Sequence, residues 1–107
     1  MAQKLRLEGI DLYHAWFNGI KDKTTRARIR HRLAKAEATR EFGDIRGVGE
    51  GVYELRFHFG PGWRIYIFQG GPNLYWVVWG GTKDTQQEDV IIARKAKREM
   101  EDNHARN

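Results

Sequence analysis

The first third of the chain carries apolar residues at intervals of three and four, which predicts two helices. The stripe of the first helix is Leu12, Trp16, Phe17 and Ile20. The stripe of the second helix is Ile29, Leu33 and Ala36. Asp22, Thr24 or Thr25 is expected to cap the second helix, because short oxygen-bearing side chains bind its free N–H groups.

The middle of the chain alternates instead, which predicts strands. Residues 52–59 place Tyr53, Leu55, Phe57 and Phe59 on one face and Glu54, Arg56 and His58 on the other. A second strand is predicted over residues 63–68, after a glycine-proline-glycine turn. Residues 74–79 are apolar throughout, as in a central strand covered on both faces. Shorter strands are predicted at 4–8 and 44–46.

The last quarter of the chain predicts one more helix. Gly80 and Gly81 are expected to end the third long strand, and Thr85 with Glu88 has the spacing of a capping box. The helix would bury Ile92, Ala96 and Met100, and residues 102–107 are expected to be a frayed tail. Helices first, strands second and a helix last predict a single α+β domain over residues 1–107.

Composition narrows the classes of function. The chain has 107 residues, a net charge of +5 and a pI near 9.7, which favours a polyanionic partner, although many small domains are basic for solubility alone. It contains no cysteine and no serine, so disulfides, thiolate metal sites and serine or cysteine nucleophiles are excluded. With no apolar run of membrane-spanning length, we expect a soluble cytoplasmic protein.

The hairpin between the two central strands places polar groups together. If its turn holds three residues, His58 lies opposite Arg64, Arg56 opposite Tyr66, and Glu54 opposite Phe68. Directly opposed side chains have Cβ atoms about 5 Å apart, so these groups could act together. This register is a prediction that a slip along the strands would change.

These residue types suit RNA cleavage without a metal. Histidine transfers protons near neutral pH, so His58 is the candidate for that role. Arginine offers phosphate a charged, two-pronged fork, which suits Arg56 and Arg64. Tyr66 could stack on an unpaired base or orient another group. The basic side of the second helix adds candidate RNA contacts, namely Arg28, Arg32 and Lys35.

Each of these residues also has an ordinary structural interpretation. His58 could be a surface histidine, and Arg56 with Glu54 a cross-strand ion pair. Tyr66 could belong to a second half of the core under a helix, and basic helix faces are usually only solvated. The histidines have no metal-ligand spacing and no phosphate-binding loop occurs, so neither a metal nor another cofactor is expected.

Two sequence runs resemble a known family. The first is GVYELR at 51–56, continuing to FGPGWRIY at 59–66, and the second is WGGTKDTQ at 79–86, followed by Asp89 and Val90. Phe42-Gly43-Asp44 and residues 16–22 add weaker matches upstream. In this order the motifs resemble the HigB-like addiction-module killer proteins of the RelE/ParE superfamily, across about residues 10–100.

The resemblance implies a RelE-like α+β fold, with two N-terminal helices on a small, mostly antiparallel sheet and a C-terminal helix. It implies a type II toxin that cleaves mRNA on the ribosome and is inhibited by a cognate antitoxin, expected to be a helix-turn-helix protein from the adjacent gene. Arg64 matches the hairpin arginine that handles the scissile phosphate, Arg56 a basic strand position, and Lys83 the basic residue after the last strand.

Two other functions stay open at this stage. ParE-type members are similar in fold but poison gyrase by binding it, and a third possibility is an inactive relative that only binds its antitoxin. Residues 84–100 hold no tyrosine or histidine to act as acid or base, which favours these alternatives. The His58–Arg64 pair favours the nuclease. If Arg64 is exposed, as the alternation suggests, Arg64→Ala should leave folding nearly intact.

Overall fold

The order of elements follows the predicted pattern of helices, strands and a final helix. A computed structural model describes residues 4–105. In this part of the chain the elements are β1 (Arg6–Gly9), α1 (Asp11–Asn18), α2 (Lys23–Thr39), β2 (Ile45–Gly47), β3 (Val52–Arg56), β4 (Trp63–Gly71), β5 (Leu74–Thr82), a 3₁₀ turn (Lys83–Thr85) and α3 (Gln86–Ala105). None of these helices combines the length and apolar character needed to cross a membrane.

The strands form one five-stranded sheet in the order β1-β5-β4-β3-β2. The pairs β2–β3, β3–β4 and β4–β5 are antiparallel, whereas β1 runs parallel to β5. A mostly antiparallel sheet with helices before and after it confirms the predicted α+β class. Helix α3 continues to Ala105, while residues 106–107 of the predicted frayed tail lie outside the described part of the chain.

Helices cover both faces of the sheet. On one face α1 and α2 pack on a core that includes Leu55, Ile65 and Val77. On the other face α3 covers a second core that includes Tyr66 and Val78. The adjacent residues Val77 and Val78 are thus buried on opposite faces, as the continuous apolar run of β5 predicted.

The start of α2 is capped as the sequence predicted. Asp22 is the N-cap, and its carboxylate accepts hydrogen bonds from the backbone N–H groups of Thr24 and Thr25, both at 3.3 Å. The Thr25 hydroxyl also donates to this carboxylate at 2.7 Å. These bonds satisfy donors that a helix end otherwise leaves free.

The predicted register of the β3–β4 hairpin is wrong by two residues. Arg56 pairs with Arg64 and Glu54 pairs with Tyr66. The sequence had placed His58 opposite Arg64, but β3 ends at Arg56 and residues 57–62 form a wider turn. Gly60 and Gly62 have φ angles of 58° and 76°, which glycine adopts without strain. A shift of two keeps every side chain on its predicted face, so alternation alone could not reveal it.

The start of α3 also differs from the prediction. Gly80 and Gly81 lie inside β5 and do not end it. The observed capping box joins Thr82 to Thr85, one turn before the predicted pair of Thr85 and Glu88. The Thr85 hydroxyl donates to Asp89 at 2.5 Å, because the 3₁₀ turn lets Thr85 face the first turn of α3.

Asp89 anchors α3 to the sheet. Its side chain is buried and accepts hydrogen bonds from the Trp79 indole at 2.8 Å and from Thr85. It lies directly over Gly81, where a Cβ atom would overlap with the Asp89 carboxylate. The second glycine of the GGTKDTQ run is therefore required by close packing between strand and helix.

We predict that Gly81→Ala lowers the free energy of unfolding by at least about 2 kcal/mol, since it forces Asp89 away from its buried donors. Gly71→Ala is the matched control, because a Cβ built at Gly71 has no atom within 4 Å from any residue beyond its two chain neighbours. That control should stay within about 0.5 kcal/mol of the wild type in urea unfolding. Equal stability of the two variants would contradict this packing of α3.

Candidate active site

Four of the residues singled out from the sequence line one groove of about 630 Å³: Arg56, His58, Arg64 and Lys83. They come from the end of β3, the following turn, the start of β4 and the 3₁₀ turn. Strand pairing brings them together, because Arg56 lies opposite Arg64, and Arg64 lies opposite Gly81, two residues before Lys83. The structure thus gathers the predicted catalytic set, although through a different register.

Arg64 lines this groove but is largely buried. Only 8% of its surface is exposed, and its Nε lies 3.7 Å from Glu54 Oε1, with no hydrogen-bond partner. Its Nη1 is 3.5 Å from the Trp63 carbonyl oxygen, a weak contact. The expectation of an exposed Arg64 is therefore wrong, because α3 and the 3₁₀ turn cover the face that the alternation left polar.

Glu54 is fully buried beneath Arg64. Its Oε2 accepts hydrogen bonds from the Tyr66 hydroxyl at 3.1 Å and from Gln86 Nε2 at 2.9 Å. Donors from β4 and α3 thus converge on one carboxylate of β3. The carboxylate is the counter-charge that lets a largely buried arginine remain at the edge of the groove.

Tyr66 belongs to this buried group and not to the groove surface. It is fully buried, and burial together with the nearby Glu54 carboxylate raises its pKa far above the usual range. The ring cannot stack on an RNA base from this position, so the structural alternative, a second core under α3, is the correct one. Its hydroxyl still donates a hydrogen bond that orients Glu54, and the oriented Glu54 in turn influences the position of Arg64.

Asp44 is a residue that the sequence reasoning did not place in the site. Its Oδ1 accepts a hydrogen bond from Arg56 Nη2 at 3.1 Å, and its Oδ2 lies 2.6 Å from His58 Nε2. The hydrogen bonds from Arg56 and His58 hold the pKa of Asp44 below its usual range. The sequence signal for Asp44 is its place in the Phe42-Gly43-Asp44 match.

Comparison with known proteins assigns the fold and a family. No protein-family model matches the chain. An uncharacterised protein of Haemophilus influenzae is 31% identical over 88 residues, which cover 82% of this chain and 88% of that protein. The chain belongs to the family of that protein.

Two solved structures share the architecture. A mutant of the E. coli toxin RelE in the free state superposes with a TM-score of 0.60 at 15% identity, over 82% of this chain and 96% of RelE. A chain of the intact E. coli RelBE toxin–antitoxin complex gives 0.57 at 13% identity, over 75% and 96%. The chain has the RelE fold. Its assignment to the HigB-like branch remains a prediction.

The three basic residues of α2 that were predicted to contact RNA lie in different environments in this fold. Arg32 donates to three backbone carbonyl oxygens, those of Phe42 (3.0 Å), Asp44 (2.8 Å) and Arg56, and its guanidinium lies over the Phe57 ring. It ties α2 to the loop before β2 and to the end of β3. The predicted RNA contact does not fit this placement, because each guanidinium nitrogen already has a partner.

The other two residues of that set are exposed. The Arg28 guanidinium lies 4.5 Å from the centroid of the Phe59 ring, and Phe59 lines the groove, so Arg28 borders the candidate site. Lys35 is 3.8 Å from Glu41 and lines a separate depression with His31. The structure therefore brings Arg28 to the candidate site and leaves Lys35 apart from it.

No metal site accompanies these groups in residues 4–105: no cluster of three or more histidine, aspartate or glutamate side chains could hold an ion. The groove combines three cations and a histidine with the carboxylate of Asp84, and the carboxylates of Asp44 and Glu54 contact its basic groups. These can bind a polyanion and move protons.

We predict that Arg64→Ala lowers the free energy of unfolding by about 3 kcal/mol, because it leaves the Glu54 carboxylate buried without a counter-charge. This replaces the expectation of nearly intact folding. Urea unfolding should show that adding Glu54→Gln to Arg64→Ala recovers part of the loss, since the uncompensated charge is then gone.

Arg98→Ala is the control for this measurement. Arg98 is an exposed partner of Glu50, so its loss should change stability by less than about 1 kcal/mol. An Arg64→Ala variant as stable as the wild type would show that the Glu54–Arg64 pair does not hold the hairpin under α3.

Proposed function

We propose that this protein is the toxin of a type II toxin–antitoxin module and cleaves mRNA on the ribosome without a metal. The observation that carries this proposal is the convergence of Arg56, His58, Arg64 and Lys83 on one groove of a RelE fold. Cations beside a histidine are the groups that cleavage by the RNA's own 2′-hydroxyl uses.

Of the groove residues, Arg64 is the one that best fits the role of binding the scissile phosphate. Its guanidinium is held against Glu54 and mostly shielded from water, so its charge acts in a low-dielectric setting. A fork held in place before the reaction stabilises developing phosphorane charge without having to reorganise. Lys83, exposed on the 3₁₀ turn, supplies a second and more mobile phosphate contact, and Arg56 a third.

His58 is the proton-transfer group of this proposal. The imidazole takes the proton of the 2′-hydroxyl while that oxygen bonds to phosphorus. The bond from phosphorus to the 5′ oxygen breaks, and water supplies the proton that this leaving oxygen needs. The products are a 2′,3′-cyclic phosphate and a 5′-hydroxyl, and the imidazolium returns its proton to solvent.

Phe59 replaces Tyr66 as the aromatic group for a substrate base. It is partly exposed, lines the groove and lies beneath Arg28. An aromatic face flanked by a guanidinium suits an unpaired base next to its phosphate. Single-stranded RNA presents such bases, as mRNA does on the ribosome.

An antitoxin is the expected protein partner. One structure with this fold is that of the RelBE toxin–antitoxin complex, and a net charge of +5 suits a partner with an acidic or amphipathic segment. We propose that the adjacent gene encodes a helix-turn-helix protein that binds this chain and blocks its groove.

We predict that expression of this chain alone arrests growth and translation, with new transcript ends inside reading frames. In a ribosome-dependent cleavage assay, Arg64→Lys should lower the rate by roughly 100-fold, since it keeps the charge opposite Glu54 but loses the fork. Lys83→Ala should lower it by roughly 10-fold, the effect of about 1.4 kcal/mol.

Lys95→Ala removes a lysine of α3 that pairs with Glu99 outside the groove, and it should cleave at the wild-type rate. Growth arrest with intact transcripts and inhibited DNA supercoiling would instead establish the gyrase-binding alternative. Normal growth at high expression would establish an inactive relative.

We also predict that the product of the adjacent gene co-purifies with this chain. It should lower the cleavage rate in proportion to the amount of complex formed. The measurement is co-expression with one tagged subunit, followed by size-exclusion chromatography and titration of the cleavage rate. Separate elution of the two proteins at micromolar concentration would count against a type II module.

A further inference from the structure

We propose that Asp44 is the positioning residue of this site, and that its carboxylate holds His58 in the tautomer whose Nδ1 can accept a proton. The inference rests on the proposed function and deepens it, because it names the group that makes an exposed histidine competent. The observation behind it is the contact of 2.6 Å between Asp44 Oδ2 and His58 Nε2.

Asp44 is itself fixed by its backbone. Its carbonyl oxygen accepts hydrogen bonds from Arg32 Nη2 at 2.8 Å and from the Arg56 N–H at 2.9 Å. Gly43, the residue before it, has a φ of 75°, and a Cβ there would lie 3.1 Å from the Arg32 guanidinium. The loop therefore presents the Asp44 side chain from a defined backbone position, without relying on the carboxylate.

The Asp44 carboxylate contacts both Arg56 and His58, and this pair of contacts determines the tautomer of His58. Oδ1 accepts from Arg56, and the negative charge remains because this hydrogen bond favours the ionised form. An ionised carboxylate only accepts, so the ring nitrogen facing it, Nε2, must carry the hydrogen. Nδ1 is then the nitrogen with a free lone pair.

The charges around the pair favour this arrangement. Arg56 on β3 and Arg32 on α2 both contact Asp44, while Arg64, Lys83 and Asp84 line the same groove. Among these cations, Arg56 favours the ionised form of Asp44 before the reaction. When His58 takes up a proton, the adjacent carboxylate stabilises the imidazolium that forms.

Without Asp44 the histidine would have little to hold it. About 73% of the His58 side chain is exposed, in a turn that contains two glycines with positive φ. A free imidazole in such a turn samples several rotamers and both tautomers. One short contact to an anchored carboxylate therefore supplies most of the restraint that proton transfer needs.

The test is Asp44→Asn, which keeps the size of the side chain and the backbone contacts. Arg56 donates to the oxygen it already meets, so the new amide turns its NH₂ toward His58. Nε2 must then accept, and the hydrogen moves to Nδ1. We expect ¹⁵N spectra of the histidine side chains to show this change of tautomer and the cleavage rate to fall by roughly 100-fold or more.

A double-mutant cycle with His58→Ala separates this role from a structural one. Asp44→Asn should lower the rate in the wild-type background and have no further effect when His58 is already alanine. Asp11→Asn, a change in the exposed first turn of α1, is the control and should leave both the rate and the His58 tautomer unchanged.

Each other outcome overturns the inference. An equal loss in both backgrounds would show that Asp44 acts elsewhere, for example through Arg56. An unchanged tautomer in Asp44→Asn would remove the proposed cause. If both Asp44→Asn and His58→Ala cleave like the wild type while Arg64→Lys is impaired, this inference and the proton-transfer role of His58 both fail, and only the proposal of mRNA cleavage stands. A wild-type protein that cuts no RNA would overturn both.

Discussion

A fully buried carboxylate, that of Glu54, organises both the second core and the groove. Removing such a group from water costs several kcal/mol, so the chain must surround it with donors and a cation. Tyr66 of β4 and Gln86 of α3 donate to it, and Arg64 faces it across 3.7 Å. These contacts tie β3, β4 and α3 to one point, and they hold the guanidinium at the groove.

Pairing with carboxylates also explains how cations can lie side by side in the groove. Arg56 and Arg64 lie directly opposite each other on neighbouring strands, an arrangement that like charges normally disfavour. Each has a carboxylate behind it, Asp44 for Arg56 and Glu54 for Arg64. The carboxylates offset the repulsion and orient the guanidinium groups. The carboxylates therefore lower the net positive charge of the groove and restrict the positions of the two guanidinium groups.

The WGGTKDTQ run at 79–86, which spans the end of β5 and the start of α3, contributes mainly packing contacts. Gly81 leaves room for Asp89, Thr85 donates to Asp89, and Gln86 donates to Glu54. Lys83 and Asp84 of this run line the groove. The run that resembles a family signature is thus largely a set of contacts that seats α3 on the sheet, and two of its residues reach the groove.

The sequence by itself determined what depends on neighbours in the chain. Helical and strand periods, the Asp22 cap and the α+β order are local, so they could be predicted. The hairpin register, the burial of Arg64 and Tyr66, and the partnership of Asp44 with His58 could not. A shift of two residues preserves alternation, a polar strand face is buried only once α3 covers it, and Asp44 meets His58 only because β2 pairs with β3. Those outcomes required the tertiary structure, because each arises from contact between segments that local spacing does not connect.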